Sequence, residues 1–425
     1  MSIKNILNDV GYGLLLDDKQ IKYLKQEAEK ITSMIKGELK NQHISAEVFL
    51  GGSFAKETLV KEEFFDIDIF VRFDWRYEDI SALLDKVLTK LEKKNKFKLE
   101  KMHGSRDYFR IVQGNIVFEI IPVVKIKKPR EARNVTDLSY FHVNYVKKNA
   151  KKIKKEIVLA KQFCKAQKVY GAESYVGGFS GYALECLIIY YKSFEKFLRA
   201  LEKIKVGERI VIDPAKAYKK KDDVLFEMNE SKLVSPIILV DPTFKERNAL
   251  AALSRETFEK FQDSAKRFLK NPIRKFFEVQ RFDVESFKNK TETGKGEFVK
   301  IGIETDRQAG DIAGTKLKKF SNYLMSEMSR FFEIRNKEFE YFGENKAVLY
   351  LIAKSKGEVI KSGPPKEMKK NVAEFKKHNK LTFEKNGLVY AKVKITLSVK
   401  KFLFEFLKKY KDNIKSMSIV DVKID

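Results

Sequence analysis

The chain has 425 residues, 43% of them hydrophobic, with a net charge of +27 and a sequence pI near 9.6. That apolar content excludes a disordered polypeptide, and the length implies roughly two to four domains, because one core rarely grows past about 250–300 residues. No run of about 18 apolar residues occurs, and the opening MSIKNILNDVGYG lacks the apolar stretch of a signal peptide. Two cysteines, Cys164 and Cys186, exclude a disulfide framework and a four-cysteine zinc site, so a cytoplasmic protein is expected.

In chain order, Asp17 or Asp18 can cap a helix whose apolar face is Ile21, Leu24, Ala28, Ile31, Ile35 and Leu39. A short strand at 46–50 leads into the turn Gly51-Gly52-Ser53, and 66–73 (DIDIFVRF) reads as a second strand. A helix at about 77–94 and a strand at 115–124 (NIVFEIIPVV) follow, so this region suggests a small α/β or α+β domain. From 146 to 205 the pattern is helical, 206–245 is mixed with Asp-Pro turns at Asp213 and Asp241, and 248–270 is again helical. The polar, Gly-containing stretch 284–312 reads as a linker or exposed loop, 315–336 as a long amphipathic helix, and the end as mixed α/β. Lysine runs at 147–155 and 219–221 belong to a positive excess that points to a polyanionic partner, although a Lys-rich composition alone can produce such a balance.

Chemistry concentrates on three acids. Asp66 and Asp68 alternate on one strand, so both side chains leave the same face, with Cα atoms roughly 6–7 Å apart. Two such carboxylates repel unless a cation lies between them, and Mg²⁺ takes one or two carboxylates together with substrate phosphates. Glu119 sits in the apolar run 116–121, where a charge is costly unless it is paired, metal-bound or at an edge. Three carboxylates on neighbouring strands suit a two-metal site; the plainer reading places Asp66 and Asp68 on a solvated strand face. The preceding Gly51-Gly52-Ser53 turn can offer N–H groups and a hydroxyl to phosphate oxygens. The P-loop, H-E-x-x-H and G-x-S-x-G motifs are absent. His43, His103 and His378 form no metal-ligand grouping, and the cysteines read as buried hydrophobes.

These residues resemble the polymerase-β-type nucleotidyltransferase superfamily. Four segments narrow the resemblance to archaeal, class I CCA-adding enzymes: 51–73 (GGSFAKETLVKEEFFDIDIFVRF), 170–191 (YGAESYVGGFSGYALECLIIYY), 211–217 (VIDPAKA) and 240–254 (VDPTFKERNALAALS). The resemblance implies template-independent addition of CCA to tRNA from CTP and ATP. It implies an α+β architecture: a catalytic palm at 1–145, a helical nucleotide-binding domain at 146–255 and a tRNA-binding body and tail at 256–425. Asp66, Asp68 and Glu119 match the metal-binding acids, for two Mg²⁺ ions; Glu119 stands where the family has Asp, and the spacing from Ser53 to Asp66 is one residue longer.

Gly52, Ser53, Lys56, His142, Lys161 and Tyr170 match positions around the triphosphate, and Arg247 matches the arginine that selects C and A over G and U. Taken singly, Lys161 reads as a surface lysine, Tyr170 as a packing residue, His142 as a buried histidine, and Arg247 as an ion-pair partner of Asp241 or Glu246. The partners implied are the tRNA acceptor stem and T arm, and a second copy in a homodimer. A poly(A) polymerase, a non-catalytic RNA-binding protein on the same scaffold and a small-molecule nucleotidyltransferase are the alternatives; length and charge disfavour the last.

Overall fold

The computed structural model describes the chain except residues 1, 96, 105, 206, 292–295 and 396. It divides into two compact units, residues 1–280 and 281–425. In the first, helix α1 (Ile3–Gly13) precedes α2 (Asp18–Asn41). Asp17 is the cap of α2: its carboxylate accepts the Gln20 N–H at 2.8 Å, and the Gln20 side chain accepts the Asp17 N–H at 3.2 Å. This reciprocal pair satisfies two helix-end donors.

There follow β1 (Ala46–Leu50), the short α3 (Gly52–Ala55), β2 (Phe65–Phe73), α4 (Ile80–Lys94), β3 (Leu99–Met102), β4 (Tyr108–Gln113) and β5 (Ile116–Val124). The sheet order is β1-β2-β5-β4-β3, with β2 and β5 parallel and the other neighbours antiparallel. Alternation on β2 decides what each face does. Phe65, Ile67, Ile69, Val71 and Phe73 are buried against the apolar faces of α2 and α4. Each such side chain contributes about 1.5–3 kcal/mol of burial. The intervening residues, Asp66 and Asp68 among them, are thereby turned to the opposite face.

The helical part comprises α5 (Ser139–Asn149), α6 (Lys154–Ala166), α7 (Gly181–Tyr191) and α8 (Phe194–Leu201). After these come β6 (Ile210–Ile212), α9 (Lys221–Glu227), β7 (Ile237–Asp241), β8 (Phe244–Asn248) and α10 (Arg255–Lys270). Their core is aromatic, with Phe163, Phe179, Phe194, Phe197, Phe261 and Phe268 all buried, and Cys164 and Cys186 lie within it. Two segments join this core from outside the range 146–255. Ile6, Leu7 and Val10 of α1 pack in it, and so do Phe258, Phe261 and Phe268 of α10. The first unit accordingly runs on to Gln280.

The second unit corrects one expectation. The stretch 284–312, read as a linker, contains α11 (Val284–Lys288) and β9 (Glu297–Thr305). With β10 (Phe332–Tyr341), β11 (Lys346–Ser355) and β15 (Ile419–Ile424), β9 makes a sheet of order β10-β11-β9-β15. Val299, Ile301 and Ile303 are buried with α12 (Asp311–Ser329) and α14 (Val399–Lys409), while Phe298 packs with Phe282 and Phe287. Lys300, Gly302 and Glu304 interrupt the apolar signal between these core residues. The amphipathic helix expected over 315–336 is α12, which buries Leu317, Phe320, Leu324 and Met328 and stops before β10.

A second sheet, β12-β14-β13, is formed by β12 (Glu358–Pro365), β13 (Leu381–Lys385) and β14 (Leu388–Lys394), with α13 (Lys369–His378) packed on β12. Helix α15 (Lys411–Ser416) leads into β15. Among the described residues, no helix is long and apolar enough to cross a membrane.

Candidate active site

The acids come first because the sheet register sets them. Asp68 of β2 lies directly opposite Glu119 of β5 in the parallel ladder, and Asp66 lies opposite Val117. Register partners share a face, so all three carboxylates are on the side away from α2 and α4. The Gly51 N–H donates to the Asp68 carbonyl at 2.9 Å, which joins the glycine turn to the strand carrying the acids. Gly52 has φ +57°, and a Cβ there would stand 1.6 Å from Asp68 Oδ2. No residue but glycine fits that approach.

Burial pushes the Asp68 carboxyl up to about 7, and the nearby negative charges of Glu119 and Asp66 add to the effect. Asp66 is raised as well, by burial first and then by Glu119. Burial and mutual repulsion thus both oppose ionisation on this face, which is the condition a divalent cation relieves. The oxygen-only donor set suits Mg²⁺. Glu119 is engaged elsewhere as placed: Arg110, its cross-strand neighbour on β4, donates to Glu119 Oε1 at 2.6 Å. Among the described residues, no three His, Cys, Asp or Glu side chains stand close enough to hold an ion between them.

Beside the acids lies a buried ionic cluster that joins the two halves of the first unit. Lys56 Nζ donates to Glu185 Oε2 at 2.6 Å. Lys161 Nζ donates to Glu185 Oε1 at 2.7 Å, to the Thr58 hydroxyl at 2.9 Å and to the Thr58 carbonyl at 3.2 Å. The Thr58 hydroxyl donates to Glu185 Oε1 at 2.7 Å. An ammonium has three hydrogens, so Lys161 spends all of them on protein acceptors, whereas Lys56 spends one.

Burial lowers Lys161 to about 8 against the attraction of Glu185. Burial opposes the Glu185 charge too, but Lys161 and then Lys56 outweigh it and hold the carboxyl down at about 2. Ser53 lies in α3, and its carbonyl accepts the Thr58 N–H at 2.9 Å. Tyr170 is half-buried, its ring under the Lys165 ammonium at 5.4 Å, and burial raises its hydroxyl pKa.

A third group surrounds Asp241, the fully buried last residue of β7. Its Oδ2 accepts from Arg247 Nη1 at 2.7 Å and from His142 Nε2 at 3.1 Å. Its Oδ1 accepts from the Tyr182 hydroxyl, the Thr243 N–H and the Thr243 hydroxyl, each at 2.8 Å. Burial works against this charge, but His142 and then Arg247 prevail and keep the carboxyl ionised. Burial also lowers His142, whose ring stacks on Tyr182 with centroids 3.8 Å apart. A carboxylate only accepts, so Nε2 carries the hydrogen of a neutral His142.

The three groups are electrostatic neighbours: Lys56 and Lys161 both act on Asp68, and Lys56 and Arg247 both act on His142. The expected residues Gly52, Ser53, Lys56, Asp66, Asp68, Glu119, His142, Lys161, Tyr170 and Arg247 thus all lie in the first unit. Lys161 is not the surface lysine its local sequence suggests; it is 2% exposed. His142 is buried and Arg247 does pair with Asp241, as their plainer readings hold. Sequence reasoning overlooked Arg110, Thr58, Tyr182 and Glu185 as site residues, and took Asp241 as a turn residue and a possible ion-pair partner of Arg247. The signal for Glu185 is the one that singled out Glu119: a lone acid inside an apolar run, here in GYALECLIIYY.

Residues 155–278 match the family model of the tRNA nucleotidyltransferase second domain, and residues 1–158 that of the second messenger oligonucleotide or dinucleotide synthetase domain. Among solved structures, the chain resembles the Cid1 poly(U) polymerase with bound magnesium and 3′-dATP. The TM-score is 0.51 at 14% identity, over 65% of this chain and 98% of that one. A cytoplasmic RNA terminal U-transferase matches with a TM-score of 0.50 at 13% identity, over 66% of this chain and 99% of the other. At such identities the likeness is one of fold.

The curated relatives go further. The CCA-adding enzyme of Methanosarcina mazei is 29% identical over 73% of this chain and 67% of its own. That of Nanoarchaeum equitans is 33% identical over 85% of this chain and 86% of its own. With that identity across most of both chains, the chain belongs to the family of archaeal CCA-adding enzymes, which are tRNA nucleotidyltransferases.

Proposed function

We propose that this chain builds or repairs the 3′-terminal CCA of tRNA from CTP and ATP without a nucleic-acid template. The observation that carries the reading is the in-register pair Asp68 and Glu119, with Asp66 on the same face, in a chain of this family. The tRNA 3′-hydroxyl attacks the α-phosphorus of the nucleotide, a phosphodiester bond forms, and the bond to pyrophosphate breaks. Asp66, Asp68 and Glu119, with triphosphate oxygens, would hold Mg²⁺, which supplies positive charge at the attacking and leaving oxygens.

The chain's own residues do the rest. Gly52 leaves room beside Asp68, and Ser53 and Lys56 face the phosphates from the palm. Lys161, Tyr170 and His142 border the triphosphate from the helical side. Arg247 reads the base, because a guanidinium fork donates to cytosine and adenine edges.

Residues 1–145 act as the palm and 146–255 as the nucleotide-binding part, with α1 and α10 buttressing the latter. The strongly basic remainder, 256–425, grips the acceptor stem and T arm, largely through backbone and shape. We infer a cytoplasmic enzyme that works as a homodimer. The test is incorporation from labelled CTP or ATP into tRNA transcripts ending at the discriminator base, at C or at CC. Two CMP, then one AMP, then a stop is the expected outcome. Unlimited AMP addition to any RNA would replace this reading with a poly(A) polymerase. Tight tRNA binding without incorporation would leave a non-catalytic RNA-binding protein.

A further inference from the structure

The carboxylate of Asp241 is saturated in an unequal way. Oδ1 is held by three donors from Tyr182 and Thr243, which fix the plane of the group. Oδ2 is shared by Arg247 and His142. The Arg247 side chain is a quarter exposed, and one guanidinium nitrogen is tied to a buried anchor beside the Tyr182 ring. The guanidinium is planar, and tying Nη1 to Asp241 restricts the directions in which its remaining hydrogens can point.

That direction matters for base choice. Cytosine N3 and adenine N1 accept a hydrogen bond, whereas uracil N3 and guanine N1 each carry a hydrogen. A donor held in one place rewards the first pair and meets a second donor in the other. A donor free to swing away loses that penalty, and discrimination built on unpaired polar groups falls with it.

We propose that Asp241 is the positioning residue for nucleotide selection: anchored through Oδ1, it aims the Arg247 fork and holds His142 in the same register. This rests on the reading of Arg247 as the base-selecting residue, and the experiment separates the two.

The test compares the full-length chain with its Arg247→Ala, Asp241→Asn and Thr243→Val variants. The readouts are kcat/KM for CTP against UTP on tRNA lacking CCA, and for ATP against GTP on tRNA ending in CC. Arg247→Ala and Asp241→Asn should each reduce both ratios at least about tenfold while still incorporating the correct nucleotide. Thr243→Val removes one donor from Oδ1 and keeps the charge, so its ratios should fall about threefold. A collapse in Arg247→Ala with wild-type ratios in Asp241→Asn overturns the role of Asp241 and leaves that of Arg247 standing, even if the Asn variant is slower overall. Wild-type ratios in Arg247→Ala overturn both. Should Asp241→Asn fail to fold, Thr243→Val decides, and unchanged ratios in it overturn the proposal.

Discussion

Two pairs of carboxylates in the first unit, Asp66 with Asp68 and Glu185 with Asp241, fall into opposite classes. On the open face of the palm sheet, Asp66 and Asp68 are pushed up by burial and by their acidic neighbours. Between and within the helices, Glu185 and Asp241 are more deeply buried and yet held down, because lysines, a histidine and an arginine meet them. Burial alone therefore does not decide the state of an acid; the neighbouring charges do. Glu185 and Asp241 are met by opposite charges, whereas burial and acidic neighbours both oppose the charge of Asp66 and Asp68.

The comparison can be broken at either side. The largest effect expected is on activity: Asp68→Ala should reduce CMP and AMP incorporation by about a thousandfold or more. The same change should leave the unfolding midpoint in denaturant, measured without Mg²⁺, unchanged or raised, since it removes an uncompensated charge. A marked loss of stability would show that Asp68 is compensated after all.

Glu185→Ala should have the opposite profile of stability, with a loss of about 3–5 kcal/mol in denaturant titrations, because two buried lysines lose their counter-charge. A loss below about 1 kcal/mol would mean that the lysines find other acceptors.

Acid titration gives the two classes opposite signs. Glu185 has its carboxyl lowered from 4.5 to about 2, so its contribution is complete above about 4.5 and is lost as pH falls toward 2. Asp68 is raised from 3.8 to about 7, so without Mg²⁺ the native state gives up stability as pH rises from about 4 to 7. Stability measured against pH for the wild type, Glu185→Gln and Asp68→Asn should separate the two slopes; parallel curves would refute the distinction.

The smallest effect concerns Arg110, which is partly exposed and occupies Glu119. Arg110→Ala should tighten Mn²⁺ binding about threefold, read by the paramagnetic signal of the free ion, because a competing cation is gone. Weaker binding would show that Arg110 holds Glu119 in place for the metal.

Local patterns in the sequence were sufficient for some of this. The alternation of β2 and the helical spacing of α2 each repeat within one element, so strand, helix and the shared face of Asp66 and Asp68 could be read directly. The α1 helix and the β3–β4 pair are short, and β9 is broken up by lysine, glycine and glutamate, so their patterns stay below what a local reading can separate.

The site was half legible for a related reason. Motif resemblance carried Lys56, Lys161 and Arg247, but not Glu185, which holds both lysines, nor the contact of Asp241 with His142. Lys56 and Glu185 are 129 residues apart, and His142 and Asp241 are 99 apart. Nothing in a window of neighbours marks such partners except the oddity of a charge among apolar residues.

The Lys56–Glu185–Lys161 cluster also bears on how the molecule can be inherited and recombined. Lys56 and Thr58 come from the stretch between β1 and β2, and Lys161 and Glu185 from α6 and α7, so one carboxylate meets lysines supplied by both parts. A chimaera that took residues 1–145 from one relative and the helical part from another would inherit unmatched buried charges unless both parents supplied the same set. Exchange at the seam would therefore be penalised even where both halves keep their folds.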